Sequence, residues 1–415
     1  MEFRIAQEAD REAVESLWAY CFEPKEDPFF QYYFGSCYEP KNTMVGLEED
    51  QVLSTVHLRQ YDLVVRGRVL PTSYMVGVAT HPAARRGGVG GRLLKASLEE
   101  LRQRGQVMTI LMPSKAGFYQ QYGWELYCHQ WVQTMSLEDL RPLADRSLHF
   151  GLINSVDQWT WLAPVYETYT ASLSGYALRR PKEWKRLLES FFAEGVHVAI
   201  ARNDEGQVEG YMAYRLGQPE IMVSEFIYTT RRGQGALLNY LYNHRSQGTS
   251  VRWNEGLQDQ GFRLFPDGKT GHITMPFMMA RVVDVKGALE AIGGQSFLDS
   301  IPGSENMLAQ MGQSPDQVER EFTLALDDSM CPWNQGVYRI AVAYSGQVLV
   351  DKLSHDPNSQ LVDVSMDVGA LSLLLMGVMS AEELAFENRL AAGEGLLDVL
   401  DTYWPKQKTY INEWW

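Results

Sequence analysis

Cysteine is scarce and scattered in this chain. Cys21, Cys37, Cys128 and Cys331 form no CxxC pair, which argues against a disulfide framework and a cysteine zinc site and fits a reducing, cytoplasmic setting. The eight histidines are equally dispersed, none at metal-ligand spacing, so no metal is expected. Long apolar runs are missing as well. No segment approaches the roughly 18 residues of a membrane span, and Met1–Ala6 has no basic stretch leading into an apolar one, so neither a span nor a secretory leader is expected. Positive charge is in deficit: Lys and Arg number 37 against 52 Asp and Glu, a net charge of -15. Such a surface repels phosphate backbones and anionic lipid, so nucleic acid is not an expected partner, whereas a cationic small molecule is electrostatically welcome.

What is present is enough apolar material for several packed cores. A chain of 415 residues, 45% hydrophobic and 12% aromatic, is long enough for two to four domains. The first 140 residues alternate strand and helix signals: a strand at Phe3–Ala6, a helix opened by Asp10, two strands over Val52–Val65, and a strand in which Tyr74, Val76 and Val78 alternate with Met75, Gly77 and Ala79. Leu94, Leu98 and Leu101 then fall on one helical face, Gly105 ends that helix, and Val107–Met112 makes the next strand. A second unit starts near Leu140, with strands at Val196–Ala201, Gln207–Tyr214 and Ile221–Thr229, then a second glycine-containing turn, Arg231-Arg232-Gly233-Gln234-Gly235-Ala236, and a helix. A third opens around Met278, continues through strands at Glu321–Leu326, Gly336–Ala343 and Gln347–Lys352, and closes with two helical stretches and the tail Tyr410-Ile411-Asn412-Glu413-Trp414-Trp415.

The chemistry-bearing motif is His81-Pro82-Ala83-Ala84-Arg85-Arg86-Gly87-Gly88-Val89-Gly90-Gly91-Arg92-Leu93-Leu94, between a strand and a helix. A helix start presents unpaired N–H groups and the positive end of the dipole, and glycine lets a phosphate approach the backbone. Pyrophosphate is the natural ligand. The segment satisfies neither the Walker A pattern nor GxGxxG. Downstream lies Ser114-Lys115-Ala116-Gly117-Phe118-Tyr119-Gln120-Gln121-Tyr122-Gly123-Trp124.

These two segments resemble the GNAT superfamily. Arg85-Arg86-Gly87-Gly88-Val89-Gly90 matches its Arg/Gln-x-x-Gly-x-Gly/Ala signature, and the Phe118–Gly123 stretch matches its Phe-Tyr-x-x-aromatic-Gly segment. The resemblance implies acetyl-coenzyme A as co-substrate, with Arg85, Arg86, Gly87, Gly88, Val89, Gly90 and Gly91 on the pyrophosphate. It also implies backbone near Val78 and Thr80, with Ser114, along the acetyl-pantetheine arm, and Tyr119 as general acid. A phenol, with a usual pKa of about 10, is suited to protonate a departing thiolate.

The whole chain resembles the Eis-type (enhanced intracellular survival) acetyltransferases. This implies a mixed α/β and α+β fold: tandem GNAT folds, each a mixed central sheet flanked by helices, and a sterol-carrier-protein-like α+β domain. The expected boundaries are 1–139 for the catalytic unit, 140–277 for a degenerate second unit and 278–415 for the third. By the same resemblance the terminal carboxylate, here that of Trp415, enters the first unit's site as base or orienting group, and the protein is a homo-oligomer, a hexamer. The two terminal tryptophans suggest a tail that docks. Glu413, Trp414, Glu26 and Asp27, with Glu23 nearby, are candidates for gripping a substrate amine. The apolar run Leu371–Met376 reads as a buried helix, with the lining of a lipid tunnel as the alternative. The expected reaction is acetylation of primary amines of cationic small molecules, aminoglycosides or polyamines, by direct attack on the thioester. Acetylation of protein lysines and a non-catalytic sensor of acetyl-coenzyme A or lipid stand as alternatives.

Overall fold

The structure, a computed structural model, describes every residue except 86, 265–270, 297–307, 311, 360 and 415, and the side chain of Phe262. Among the described residues thirteen strands form one sheet: β1 (Glu2–Ile5), β2 (Thr43–Glu48), β3 (Gln51–Val65), β4 (Arg68–Thr80), β5 (Met108–Leu111), β6 (Glu125–Ser136), β7 (His149–Ile153), β8 (Tyr176–Ala177), β9 (His197–Arg202), β10 (Val208–Arg215), β11 (Glu220–Tyr228), β12 (Ser250–Gly256) and β13 (His272–Val282). Their order is β1-β2-β3-β4-β5-β13-β6-β12-β11-β10-β9-β7, with β8 on β3. Val52–Val65, expected as two strands, is one continuous strand, β3. It turns into β4 through Arg66 and Gly67, at φ 50° and 74°, the two left-handed positions that a two-residue hairpin loop requires.

The insertion of β13 between β5 and β6 joins the units. This strand pairs antiparallel with β5 from Met279–Leu111 to Val282–Met108, and with β6 from His272–Gln133 to Ala280–Glu125. The boundary expected between 277 and 278 falls inside it. Beyond β6 the same sheet continues into β12, β11, β10, β9 and β7. A separate five-stranded sheet follows: β14 (Val318–Asp327), β15 (Gly336–Ala343), β16 (Val348–Ser354), β17 (Val364–Asp367) and β18 (Leu390–Ala392), ordered β16-β15-β14-β17-β18.

Of the helices, α1 (Arg11–Cys21) and α2 (Pro28–Tyr32) bring Trp18, Phe30 and Tyr33 into one small core. The next, α3 (Val89–Gln103), buries Leu93, Leu94, Leu98 and Leu101 completely, the face that the leucine spacing marks. Each such leucine stabilises the packing by about 1.5–3 kcal/mol. Then come α4 (Ala116–Gln120), α5 (Ala163–Thr170), α6 (Pro181–Ala193), α7 (Arg231–Tyr242) and α8 (Val285–Ile292). The helix at Val368–Met376 is buried on every side, capped by Asp367, whose Oδ1 accepts from the Ala370 N–H at 2.8 Å, and ended by Gly377 in the left-handed region. The Leu371–Met376 run is thus a buried helix. Arg66, from the β3–β4 hairpin tip, donates to its last carbonyls, Leu375 at 2.8 Å and Leu374 at 2.9 Å, where a cation suits both the orphan acceptors and the dipole. One buried cluster runs from Tyr74, Val76 and Ile110 through Phe277 to Val350 and Leu374, so the third unit shares a core with the first.

Candidate functional site

Parallel pairing of β4 with β5 covers only Ser73–Thr109, Tyr74–Ile110 and Met75–Leu111. Past Met75 the two strands separate while β4 stays paired to β3 as far as Thr80–Ser54. Gly77, at φ 60°, sits at the divergence, and a Cβ there would lie 2.2 Å from the Trp18 ring. The gap is a cavity of about 370 Å³ lined by Tyr74–Val78, Met112–Ser114, Tyr119, Phe22, Met275–Phe277 and Trp414. Its wall therefore comes from the first unit, from β13 and from the tail. Among the described residues no charged side chain lines it.

At the end of β4 the chain enters the glycine turn. Arg85 Nε donates to the Thr80 carbonyl at 2.9 Å, and α3 begins behind Gly88, which is at φ 69° and gives no side-chain cap. Among the described residues no side chain caps the first turn of this fifteen-residue helix, and none of them lies within 4 Å of where a Gly88 Cβ would stand. This is an open, electropositive cradle that fits a pyrophosphate. Gly90 and Gly91 serve a different purpose. A Cβ at Gly91 would lie 2.6 Å from the Tyr122 hydroxyl, and one at Gly90 3.1 Å from Phe118. They let the α3 start pack on the α4 segment. Arg86 lies outside the described residues.

Tyr119 sits on α4, only 6% exposed, with Phe118 and Trp124 packed edge-on against its ring. Burial raises the phenol above its usual pKa, with a hydrogen bond to Ser114 opposing. It stays protonated at neutral pH, as a proton donor must. The segment is anchored from the far side by Arg281 of β13. Its Nε donates to the Tyr122 carbonyl at 2.7 Å, and its Nη2 lies 2.7 Å and 2.9 Å from the Asp328 carboxylate oxygens.

The tail is irregular but fixed. Lys408 O accepts from the Ser174 N–H at 3.0 Å, and Tyr410 N–H donates back to Ser174 O at 2.9 Å. Gln130 Nε2 reaches Ile411 O at 3.1 Å and Asn412 Oδ1 at 3.0 Å. Trp414 then enters the cavity, its ring 4.6 Å from Phe277 and its Nε1 donating to Asn412 Oδ1 at 2.8 Å. Trp415, and with it the terminal carboxylate, lies outside the described residues.

The acidic candidates are placed differently from expectation. Glu413 is turned inward and engaged by Arg179, whose Nε donates to its Oε1 at 2.9 Å, so its carboxylate is committed to holding the tail. Asp27 caps α2, accepting from the Phe29 N–H at 2.8 Å, and Glu23 accepts from Trp18 Nε1 at 2.9 Å. Glu26 is exposed and does not line the cavity; Phe22 is what that loop contributes. Sequence reasoning missed Met275–Phe277, because only the inserted β13 brings them here.

In the second unit the equivalent cradle is closed. Thr230 accepts from the Gly233 N–H at 3.0 Å and caps α7, while Arg232 Nε is held by Glu209 Oε2 at 2.7 Å. A Cβ at Gly233 would lie 2.5 Å from the Glu209 carbonyl oxygen, and one at Gly235 2.8 Å from Asp145. Its strands also part, after Val223–Trp253, but Asn412 Nδ2 fills that edge by donating to the Ser224 carbonyl at 2.9 Å. Among the described residues no group of three or more His, Cys, Asp or Glu is placed to hold a metal, and no helix is long and apolar enough to cross a membrane.

Comparison with known proteins agrees with this layout. Residues 2–127 match an acetyltransferase (GNAT) domain, residues 175–282 a second acetyltransferase (GNAT) domain, and residues 304–412 a sterol carrier protein domain. An uncharacterized N-acetyltransferase of Streptomyces avermitilis is 25% identical over 387 residues, covering 87% of this chain and 85% of its own. Among solved structures, a probable N-acyltransferase from Enterococcus faecalis, a conserved protein of unknown function, superposes with TM-score 0.84 at 22% identity, over 100% of this chain and 99% of that one. Eis1 from Mycobacterium abscessus superposes with TM-score 0.71 at 16% identity, over 100% of both. At these identities the structural likeness is one of fold.

Proposed function

With two acetyltransferase (GNAT) domains followed by a sterol carrier protein domain, the chain is an acyltransferase, and we propose that its first domain transfers acetyl from acetyl-coenzyme A to a primary amine of a small molecule. The observation that carries this is the cavity where β4 and β5 part, which holds Tyr119 and is walled by β4, the strand that runs on into the glycine turn and the uncapped start of α3. Arg85, Arg86, Gly87 and Gly88, with the first N–H groups of α3, hold the pyrophosphate, and the unpaired edge of β4 from Val78 to Thr80, with Ser114, lies along the pantetheine arm. When bound, acetyl-coenzyme A supplies an activated acetyl carbon and a thiolate leaving group.

Tyr119 donates its proton to the departing sulfur, and burial keeps that proton in place until then. The largely apolar wall formed by Met75, Val76, Met112, Met275 and Phe277 excludes water. Among the described residues no cysteine or histidine lines the cavity with Ser114, which favours direct attack by the amine over an acyl-enzyme. Trp414 lines the cavity. The residue that follows it, Trp415, carries the terminal carboxylate to which we assign orientation of the amine and acceptance of its proton. The net charge of -15 supports attraction of a cationic amine to the protein as a whole.

A thiol-release assay over a panel of amines tests the reading. Turnover with at least one amine, reduced about 100-fold or more in Tyr119→Phe with acetyl-coenzyme A binding retained, is expected. Acetyl-coenzyme A binding without thiol release for any amine would overturn it.

A further inference from the structure

On the same face of the sheet, one strand over from the transfer cavity, lies a second cavity of opposite character. It measures about 300 Å³ and is lined by Lys41, Arg59, Lys182 and Arg186 as cations and by Glu39 and Glu183 as anions. Four positive against two negative side chains leave it net positive, in a chain whose net charge is -15. Glu39 is shared by Lys41 at 3.6 Å and Arg186 at 3.8 Å, while Lys182 has no acidic partner among the described residues. The first turn of α6, which carries Lys182 and Glu183, opens with no side-chain cap, so its N–H groups add positive potential.

A polar group buried in the floor is also unmatched. His57 is 1% exposed, its Nδ1 lies 2.8 Å from the Tyr33 hydroxyl, and its Nε2 has no partner among the described residues. Burial, with Arg59 nearby, holds the imidazole down to about 3, so it is neutral. The Tyr33 hydroxyl can donate to Nδ1, and in that tautomer the single ring proton sits on Nε2, as a donor awaiting an acceptor. A buried donor without an acceptor is costly, which points to a ligand that supplies one.

The strand register ties the two cavities together. His57 stands opposite Val76 and Arg59 opposite Tyr74, and both Val76 and Tyr74 line the transfer cavity. Opposite residues of an antiparallel pair share a face, at a strand spacing of about 4.8 Å. An acceptor reaching across from β4 to β3 would have one end in the transfer cavity and the other towards His57 and Arg59, in the cavity that Lys182 and Arg186 also line.

We propose that the acceptor amine carries an anionic group, a carboxylate or a phosphate a few atoms from the amine, held in the Arg59–Lys182–Arg186 cavity. The overall acidity of the chain does not extend to this cavity, so the acceptor is zwitterionic rather than polycationic. This rests on the acetyl-transfer reading of the neighbouring cavity.

The test compares matched amines in the thiol-release assay: 4-aminobutyrate and 2-aminoethyl phosphate against butylamine and 1,4-diaminobutane. The anionic amines are expected to exceed the other two by about tenfold or more in kcat/KM, the better of the two naming carboxylate or phosphate. Lys182→Glu is expected to reduce that advantage about tenfold through KM, with Lys182→Arg restoring it. Equal or better turnover of the diamine, or an unchanged preference in Lys182→Glu, would overturn the proposal. If no amine releases thiol, the transfer reading fails by itself, and calorimetry with glutarate then decides the anion site. Binding weakened by Lys182→Glu sustains it; no binding overturns it.

Discussion

Arg179 and Glu413 meet inside the protein, Nε to Oε1 at 2.9 Å, with the arginine on the β8–α6 connection and the glutamate two residues before the chain end. The same guanidinium reaches Glu225 of β11 at 2.8 Å, and its side chain is 3% exposed. This contact pins the tail at the point where Trp414 enters the transfer cavity. Removing one partner of such a group leaves buried charge uncompensated, at about 3–5 kcal/mol. Arg179→Met should therefore lower the free energy of unfolding, measured by urea titration, by that amount. It should also expose the C-terminal residues to carboxypeptidase, which in the wild type should cleave slowly.

Tyr119 should leave a signature in the pH profile. Its phenol is raised by burial, so it loses its proton only above the usual value of about 10. Turnover with a saturating amine should consequently show no fall assignable to loss of the acid between pH 7 and about 10. A descending limb near pH 8 that vanishes in Tyr119→Phe would speak against the assignment.

Gly91 and Gly88 separate packing from binding. Gly91→Ala drives a methyl into the Tyr122 hydroxyl and should destabilise the protein by about 1–3 kcal/mol, measured by thermal or urea unfolding. Gly88→Ala meets no neighbour but must hold φ near 69°, so a smaller loss of about 1–2 kcal/mol should come with weaker acetyl-coenzyme A binding by calorimetry.

The second unit carries a pH-dependent stability. Glu255 of β12 is buried beside Asp259, and desolvation together with that neighbour raises its carboxyl to about 8. A carboxyl raised in the folded state favours folding while protonated. That contribution is complete below the unfolded value near 4.3 and is lost as pH rises towards 8. The melting temperature should thus fall between pH 5 and 8.5. Glu255→Gln, which keeps the shape and removes the charge, should flatten that decline and raise the melting temperature at pH 8.5 by several degrees.

Much of the transfer site is legible in the sequence because its determinants are local. The strand–glycine–helix succession, the leucine face of α3 and the open start behind Gly88 follow from residue spacing and from the conformational freedom of glycine. The Phe118–Gly123 segment likewise sits beside its own strand. What escapes the sequence is set by pairing between distant segments. Nothing local marks His272–Val282 as a strand between β5 and β6, so the Met275–Phe277 wall could not be read. Glu413 reads as a free acid because its partner Arg179 lies 234 positions away in the chain. Lys41, Arg59, Lys182 and Arg186 are scattered charges in a net acidic sequence until the fold gathers them around one cavity. Within β3, Val52–Val65 looks interrupted because His57, Arg59 and Gln60 break the apolar run, yet a polar cavity on one face accounts for His57 and Arg59, and the Gln60 side chain is paired with Ser73 and Gln106.

Trp414 makes the C-terminal tail part of the transfer cavity in the first domain. The most direct measurement is the initial rate of thiol release by a chain ending at Glu413, compared with the full chain, with acetyl-coenzyme A affinity measured in parallel. A fall of about 100-fold or more with cofactor affinity within about twofold is the expected result, since α3 and β4 are untouched while Trp414 and the carboxylate of Trp415 are gone. Turnover equal to that of the full chain would contradict the account.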